Sequence, residues 1–398
     1  MVWLDGGPGI AGTGSAALYT DELRFHRDQR AIVMVDQRGT GGSGALNCPE
    51  IERKSPLSDA WTLADVVSCR RALEAHSDLS QYSTLAAARD LDAVRLALGY
   101  EKVDLAGLSY GTMLAQAYLK LYPAHVRSAA FIGTVPLGEK LPLHHAANGE
   151  HALRQVFDDC GADTACNAAF PRLLSDWAVL QRRLSNAPIV IKTGHGALVV
   201  RKGPFGEFIR GLLNTPDGQR RLPSMISRAA RDDYGPFVKA VEAQGAEPEA
   251  EGLYLSVTCP EATRRIRPSE IRRAVAGASF GRYRIDQQIA ACRLWATAKP
   301  QPALLAPLRS DIPVLLLSGG RDATTPTAWA RRVAAGLPNS RTLVFEHMTH
   351  LPVGLDNMVC VDRIMAAFFS RGSAEGLDAS CRASMTPPPF VVAPPPRL

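Results

Sequence analysis

The stretch Val103-Asp104-Leu105-Ala106-Gly107-Leu108-Ser109-Tyr110-Gly111 decides the fold. Val103 to Ala106 has the composition of a strand, and Gly111 to Tyr122 reads as a helix that Pro123 stops. Between them lies Gly-x-Ser-x-Gly, at the strand-to-helix junction that a nucleophile elbow requires. Such a turn lifts the serine oxygen clear of the backbone, and its glycines let strand and helix approach closely. The plainer reading of the same residues is a tight turn with an idle serine.

Outward from this point, strands and helices alternate. Val2 to Leu4 is a short strand and Ala31 to Val35 a continuous apolar one, as buried parallel strands are. Leu85, Ala88, Leu91, Val94 and Leu98 recur at helical spacing, and Gly99 ends that helix. Ala129 to Ile132 is strand-like. The rhythm returns at 313–317, with a helix near 327–336, a strand at 341–345 and a helix from Cys360 to Phe369. Alternation of this kind predicts an α/β fold with a mostly parallel sheet and helices on both faces. Residues 141–300 differ: Pro171, Pro188, Pro204, Pro216, Pro223, Pro236 and Pro248 break helical pieces. The expected organisation is a core in two parts, 1–140 and 301–385, with a mainly helical cap inserted at 141–300. The proline-rich tail 386–398 is expected to be extended or disordered.

Composition narrows the class. The 398 residues are 46% hydrophobic and 21% charged, which excludes disordered, collagenous and coiled-coil chains and allows a large core. No apolar run is long enough for a membrane helix. The net charge of +6 is spread over pairs such as Arg220 and Arg221, Arg264 and Arg265, Arg272 and Arg273. That is a solvated surface, without the concentrated stripe that nucleic-acid binding needs.

Eight cysteines fall in neighbouring couples: Cys48 and Cys69, Cys160 and Cys166, Cys259 and Cys292, Cys360 and Cys381. They lack zinc-ligand spacing, and sequence alone leaves every pairing, or eight separate thiols, open. Four local disulfides would suit a periplasmic or secreted protein. The chain opens on its first strand with no export signal before it. Its first residue therefore reads as an internal start, with the signal and first strands outside the sequence. A cytoplasmic protein with reduced thiols is the alternative.

A serine of ordinary acidity needs a base and an orienting acid. For an elbow serine these follow in the order acid, then histidine. Asp322 comes just after the strand 313–317, and His350 comes in a short loop after the strand 341–345. Both sit beyond the C-terminal ends of strands, where α/β sites are built. The expected roles are Ser109 nucleophile, His350 general base and then acid, and Asp322 holding the imidazole tautomer. His347 is a rival base, though its place beside Glu346 at the strand end favours a structural role. His144, His145 and His195 fall in the insertion and read as surface or lid residues. No metal site is expected, since the His347–His350 pair has no further ligands near it. An oxyanion hole would draw on the backbone N–H of Tyr110 and of Gly7, because Pro8 has none. The same loop carries Gly7-x-Gly9-x-x-Gly12 after a strand, with Asp36 at the next strand's end. That matches a dinucleotide-binding fingerprint and would suggest an oxidoreductase. Pro8 counts against it, and it leaves Ser109, Asp322 and His350 without a role.

With these segments placed, the chain resembles the proline iminopeptidase and tripeptidyl aminopeptidase-like group of α/β-hydrolases. The likeness is carried by Gly6-Gly7-Pro8-Gly9, Asp36-Gln37-Arg38-Gly39-Thr40-Gly41 and the Ser109 elbow. It continues in Ser318-Gly319-Gly320-Arg321-Asp322 with Thr325-Pro326, in His350, and in Leu255-Ser256-Val257-Thr258-Cys259-Pro260-Glu261. Two positions depart from the pattern: Asp5 stands where the group often has His, and Thr349 where it often has Gly. The resemblance implies the sequential pairing of the cysteines. It also implies cleavage of residues from peptide N-termini, with acidic cap groups holding the substrate ammonium. Glu261 is the first candidate for that contact and Glu207 the second. The implied substrate is a small peptide, with an ester the alternative for the same fold and mechanism, and no cofactor is implied.

Overall fold

The computed structural model describes all residues except 22–23, 194–195, 244–248, 296–297, 299–300, 352 and 393–398. Its strands are β1 (Val2–Leu4), β2 (Val33–Met34), β3 (Val103–Leu108), β4 (Val126–Ile132), β5 (Ile189–Thr193), β6 (Gly196–Val200), β7 (Val314–Gly319) and β8 (Ser340–Phe345). Six of them form one parallel sheet in the order β2-β1-β3-β4-β7-β8. β3 and β7 are buried along their whole length, which is why β7 opens on an unbroken apolar run, Val314 to Leu317, rather than an alternating one.

Helices cover both faces. Helix Tyr110–Leu121 buries ten of its twelve residues between the sheet and helix Thr84–Ala97. Gly99, just past the latter, takes φ 74° and turns the chain towards β3. On the other face, helix Val359–Arg371 packs Phe368 and Phe369 against Trp3, Leu315 and Leu343.

The insertion holds a second core. Helices His145–Ala162, Leu173–Asn186, Lys202–Leu212 and Pro216–Ala229 enclose Trp177, Phe205, Phe208, Phe237 and Phe280. The rings of Phe208 and Phe237 meet edge to face with centroids 5.0 Å apart. The antiparallel hairpin β5–β6 adds a strand element that the proline spacing did not suggest. Helix Glu251–Glu261 and the end of helix Tyr283–Leu294 pack with the sheet's core, through Leu253, Leu255, Val257 and Trp295, rather than with the cap. The tail up to residue 392 has neither helix nor strand and packs against the cap. Phe390 is buried under the Arg220 guanidinium, 4.1 Å from its ring, and Val391 N–H donates to Arg220 O. Residues 393–398 of that tail lie outside the described residues.

The cysteines pair in sequence order: Cys48–Cys69, Cys160–Cys166, Cys259–Cys292 and Cys360–Cys381. Three of them staple a helix of the core to its neighbour, and Cys160–Cys166 closes a turn within the cap. Among the described residues no helix is long and apolar enough to cross a membrane.

Candidate active site

Parallel register brings the chemistry to one edge. Leu4 pairs with Gly107, Leu317 with Ile132, and Gly319 with Phe345, so β1, β3, β4, β7 and β8 release their loops on the same side. Ser109 follows β3 at φ 55° and ψ −120°, a strained conformation that points its side chain away from the sheet. The elbow glycines are sterically required. A Cβ on Gly107 would lie 2.6 Å from Gly111 O, and one on Gly111 would lie 2.0 Å from Leu4 O. Helix Tyr110–Leu121 can therefore seat itself against β1 and β3 only without side chains at those positions.

Ser109 Oγ lies 3.1 Å from His350 Nε2. His350 Nδ1 lies 3.1 Å from Asp322 Oδ2. All three sequence-predicted groups are thus brought together, with His350 and Asp322 only 8% and 6% exposed. Asp322 is held on its other side by Thr324 N–H and Thr325 N–H, each 2.7 Å from Oδ1, and by Thr325 Oγ1, 2.6 Å from Oδ2. Burial pushes the Asp322 carboxyl up, but the His350 ring and the Thr325 donors outweigh it and hold it below the usual carboxylate range. A hydroxyl, an imidazole and a buried carboxylate in this arrangement can move a proton from the hydroxyl during attack on a carbonyl.

Two further residues at this edge were not singled out from the sequence. Thr325 Oγ1 also lies 3.1 Å from His350 Nδ1, so one hydroxyl touches both the acid and the ring. Gly133, which follows β4 at φ 60°, leaves the space that His350 fills: a Cβ there would be 2.9 Å from Thr325 Oγ1 and 3.4 Å from the imidazole. Thr325 lay within a quoted segment of resemblance, whereas Gly133 carried no local signal.

The loop after β1 lies over Ser109. A Cβ on Gly6 would be 3.2 Å from Ser109 Cβ, and Gly6 N–H is held by Asp5 Oδ1 at 2.9 Å. Asp5 also accepts from Trp3 Nε1 and Ser15 Oγ, so the aspartate that replaces a family histidine fastens this loop from below. Gly7 takes φ 103° next to it, and Tyr110 opens the helix behind Ser109 with no side-chain cap in front of its first turn.

The dinucleotide alternative fails on this loop. A Cβ on Gly7 would lie 2.9 Å from Glu249 Oε1, and one on Gly9 2.8 Å from Glu249 Cγ. A carboxylate packed there repels a pyrophosphate. Asp36, the would-be ribose acid, is instead a loop brace, accepting from Thr13 N–H and Gly42 N–H at 2.9 Å each.

The two acidic candidates part company. Glu261 accepts Thr84 N–H at 2.8 Å and Thr84 Oγ1 at 2.6 Å, with Tyr110 OH on the same hydroxyl. Each of its oxygens thus already accepts one bond from Thr84 at the N-terminus of helix Thr84–Ala97, next to the N-cap Ser83. Burial raises its pKa against the pull of Thr84. Glu207 lines a cavity of about 200 Å³ with Glu249, Glu251, Tyr283 and Arg284. Glu249 also lies against Gly7 and Gly9, in the loop whose Gly6 lies over Ser109. Glu249 was not singled out, since one glutamate in the run Glu247-Pro248-Glu249-Ala250-Glu251 looks like another.

Comparison with known proteins agrees with this picture. The "alpha/beta hydrolase fold" family model matches residues 4–167, and the "TAP-like protein" model matches residues 276–381. Tripeptidyl aminopeptidase of Streptomyces coelicolor is 23% identical over 98% of this chain and 77% of its own length. Serine protease Hip1 of Mycobacterium tuberculosis is 26% identical over 76% of this chain and 62% of its own. Among solved structures, a meta-cleavage product hydrolase from Pseudomonas fluorescens covers 94% of this chain and 91% of its own at 14% identity, with a TM-score of 0.43. With an elbow serine after β3, an acid after β7, a histidine after β8 and hydrolase models matching both parts of the core, the chain has the α/β-hydrolase fold and resembles the tripeptidyl aminopeptidase-like group of that fold.

Proposed function

We propose that the protein is a serine hydrolase that releases N-terminal residues from short peptides. The contact that carries this reading is Ser109 Oγ at 3.1 Å from His350 Nε2, with His350 in turn on Asp322. In the first step His350 takes the Ser109 proton as the oxygen attacks the scissile carbonyl, and Asp322 stabilises the imidazolium that forms. The backbone N–H groups of Gly7 and Tyr110 face the developing oxyanion. His350 then gives its proton to the leaving amine, and a water activated by the same ring opens the acyl-enzyme.

The peptide part of the proposal draws on the relatives, whose names are those of peptidases. It also draws on the cavity lined by Glu52, Glu207, Glu249 and Glu251 together with Lys54 and Arg284, whose Glu249 lies against the Gly7 loop. Glu207 and Glu249 are placed to hold a substrate ammonium by charge-assisted hydrogen bonds, in the role first considered for Glu261. Four disulfides favour an oxidising compartment, so we place the protein outside the cytoplasm.

A fluorophosphonate probe tests the mechanism: it should label the wild type and fail on Ser109→Ala. Labelling that persists in the variant would put the nucleophile elsewhere. Alanyl and prolyl arylamides, set against their N-acylated forms, test the specificity. The free amines should be cleaved faster, and Glu249→Gln should raise KM for them. Equal rates on free and acylated substrates would leave an esterase-type hydrolase without ammonium recognition.

A further inference from the structure

Helix Lys202–Leu212 roofs the cleft. At one end Glu207 lines the acidic cavity that adjoins Gly7. Past the other end, Asn214 O accepts Leu351 N–H at 3.0 Å, and Asn214 Oδ1 accepts Thr324 Oγ1 at 2.9 Å. Those partners are the immediate neighbours of His350 and Asp322. Arg210 lies between Glu207 and Asn214 at helical spacing, so it shares their face. Its Nε donates to Glu207 Oε2 at 3.1 Å, while its terminal nitrogens have no hydrogen-bond partner among the described residues.

His145 stands across from it. It opens helix His145–Ala162, and one turn on, a Cβ at Gly149 would sit 3.3 Å from Arg210 Cγ. His145 was expected at the surface or in a lid, yet it is 8% exposed and Nδ1 is fully buried without a partner. Desolvation, then Arg210, Arg284 and His350, keep its imidazole from taking a proton. A neutral ring offers a ligand one donor and one acceptor nitrogen. Arg284 is committed elsewhere, stacked 4.4 Å from the Trp61 ring and donating to Tyr254 OH, and contributes positive potential.

We propose that Arg210 and His145 form a subsite for a carboxylate of the substrate, on the roof of the cleft that holds Ser109 and His350. Arg210's terminal nitrogens lack an acceptor among the described residues, its side chain is only 14% exposed, and a guanidinium fork selects a carboxylate over a neutral amide. The carboxylate has two sources, the C-terminus of a short peptide or an acidic side chain. This subsite rests on the hydrolase reading.

The experiment compares kcat/KM within two substrate pairs. The first is tetra-alanine with a free carboxylate against the same peptide as its C-terminal amide. The second is an amidated peptide with Glu beyond the scissile bond against its Gln counterpart. In the wild type at least one pair should show a preference for the carboxylate of about 10- to 100-fold, the range of one charge-assisted contact. Preference in the first pair assigns the terminal carboxylate, and in the second the side chain. Arg210→Gln and His145→Gln should pull the ratio towards one, and Arg210→Lys should keep part of it. Each ratio is taken on one protein, so a loss of folded fraction cancels. A wild type that cleaves both members of both pairs equally, or a preference that survives Arg210→Gln and His145→Gln, overturns the subsite and leaves the hydrolase reading standing. A wild type that reacts with the fluorophosphonate probe but cleaves neither member of either pair overturns the peptidase reading, and the subsite with it, and one that the probe also fails to label overturns the hydrolase reading.

Discussion

Replacing Thr325 by valine removes one hydroxyl and keeps the outline of the side chain. The site is 1% exposed, so no water takes the hydroxyl's place. Asp322 then loses the donor 2.6 Å from Oδ2 but keeps the two backbone N–H groups on Oδ1 and the His350 ring on Oδ2. One hydrogen bond to a charged group contributes roughly 1.5–3 kcal/mol, which sets the loss in kcat/KM at about 10- to 150-fold. The loss stays below the roughly 10,000-fold that follows when the acid of a Ser-His-Asp triad becomes an amide, because the carboxylate and its grip on the ring persist. A methyl cannot sit 2.6 Å from an oxygen, so the carboxylate must also move, and the loss should fall in the upper part of that range. Thr325→Ser keeps the hydroxyl and should remain within about threefold of the wild type, since only a methyl group is lost. The rate of fluorophosphonate labelling of Ser109 and the turnover of an alanyl arylamide report the effect. A Thr325→Val protein within twofold of the wild type would refute the idea that this hydroxyl positions the triad; so would a serine variant as slow as the valine one.

Three other outcomes follow from the geometry. Glu261→Gln should leave KM for free-amine substrates unchanged and lower stability by roughly 1 kcal/mol, as the loss of a helix cap does, when urea unfolding and arylamide kinetics are measured together. Gly111→Ala should destabilise by about 1–3 kcal/mol or more, with a Cβ forced to within 2.0 Å of Leu4 O, while Gly161→Ala, with nothing within 4 Å, should stabilise its helix by about 0.5 kcal/mol. Because the folded Asp322 has a depressed pKa, its contribution to stability is complete above the unfolded value near 3.9 and fades as pH falls through the folded one. Unfolding free energies of the wild type and Asp322→Asn should therefore differ at pH 7 and converge only as pH falls through the depressed folded pKa; a gap that is constant with pH would contradict the assignment of that carboxylate.

The parts of the fold that were legible in the sequence are those set by short-range rules. β7 announced itself because a strand buried on both faces has no polar alternation. Ser109 announced itself because an elbow requires glycines at fixed offsets, and the clashes at Gly107 and Gly111 show the reason. Asp322 and His350 could be found because each follows a strand, and a parallel sheet sends every such loop to one edge. The hairpin β5–β6 was not legible, since a short strand pair in a proline-broken region carries no periodicity long enough to separate it from helix.

The acidic residues show where such rules stop. Glu261 and Glu249 both lie in the return from cap to core, and nothing local marks either one. What separates them is the partner each finds at long range. Glu261 meets Thr84 at the start of helix Thr84–Ala97, whose N–H donates to one of its oxygens and whose hydroxyl donates to the other. Glu249 meets Gly7, whose missing side chain leaves the room for a carboxylate beside the Ser109 loop. A glutamate satisfied by a helix end can be exchanged for an amide at the cost of stability alone, while one beside the reacting serine changes which substrates bind. Measuring stability and KM on the same two variants, Glu261→Gln and Glu249→Gln, therefore separates cap from subsite. An effect on KM from the first with none from the second would reverse the assignment and return the ammonium contact to Glu261.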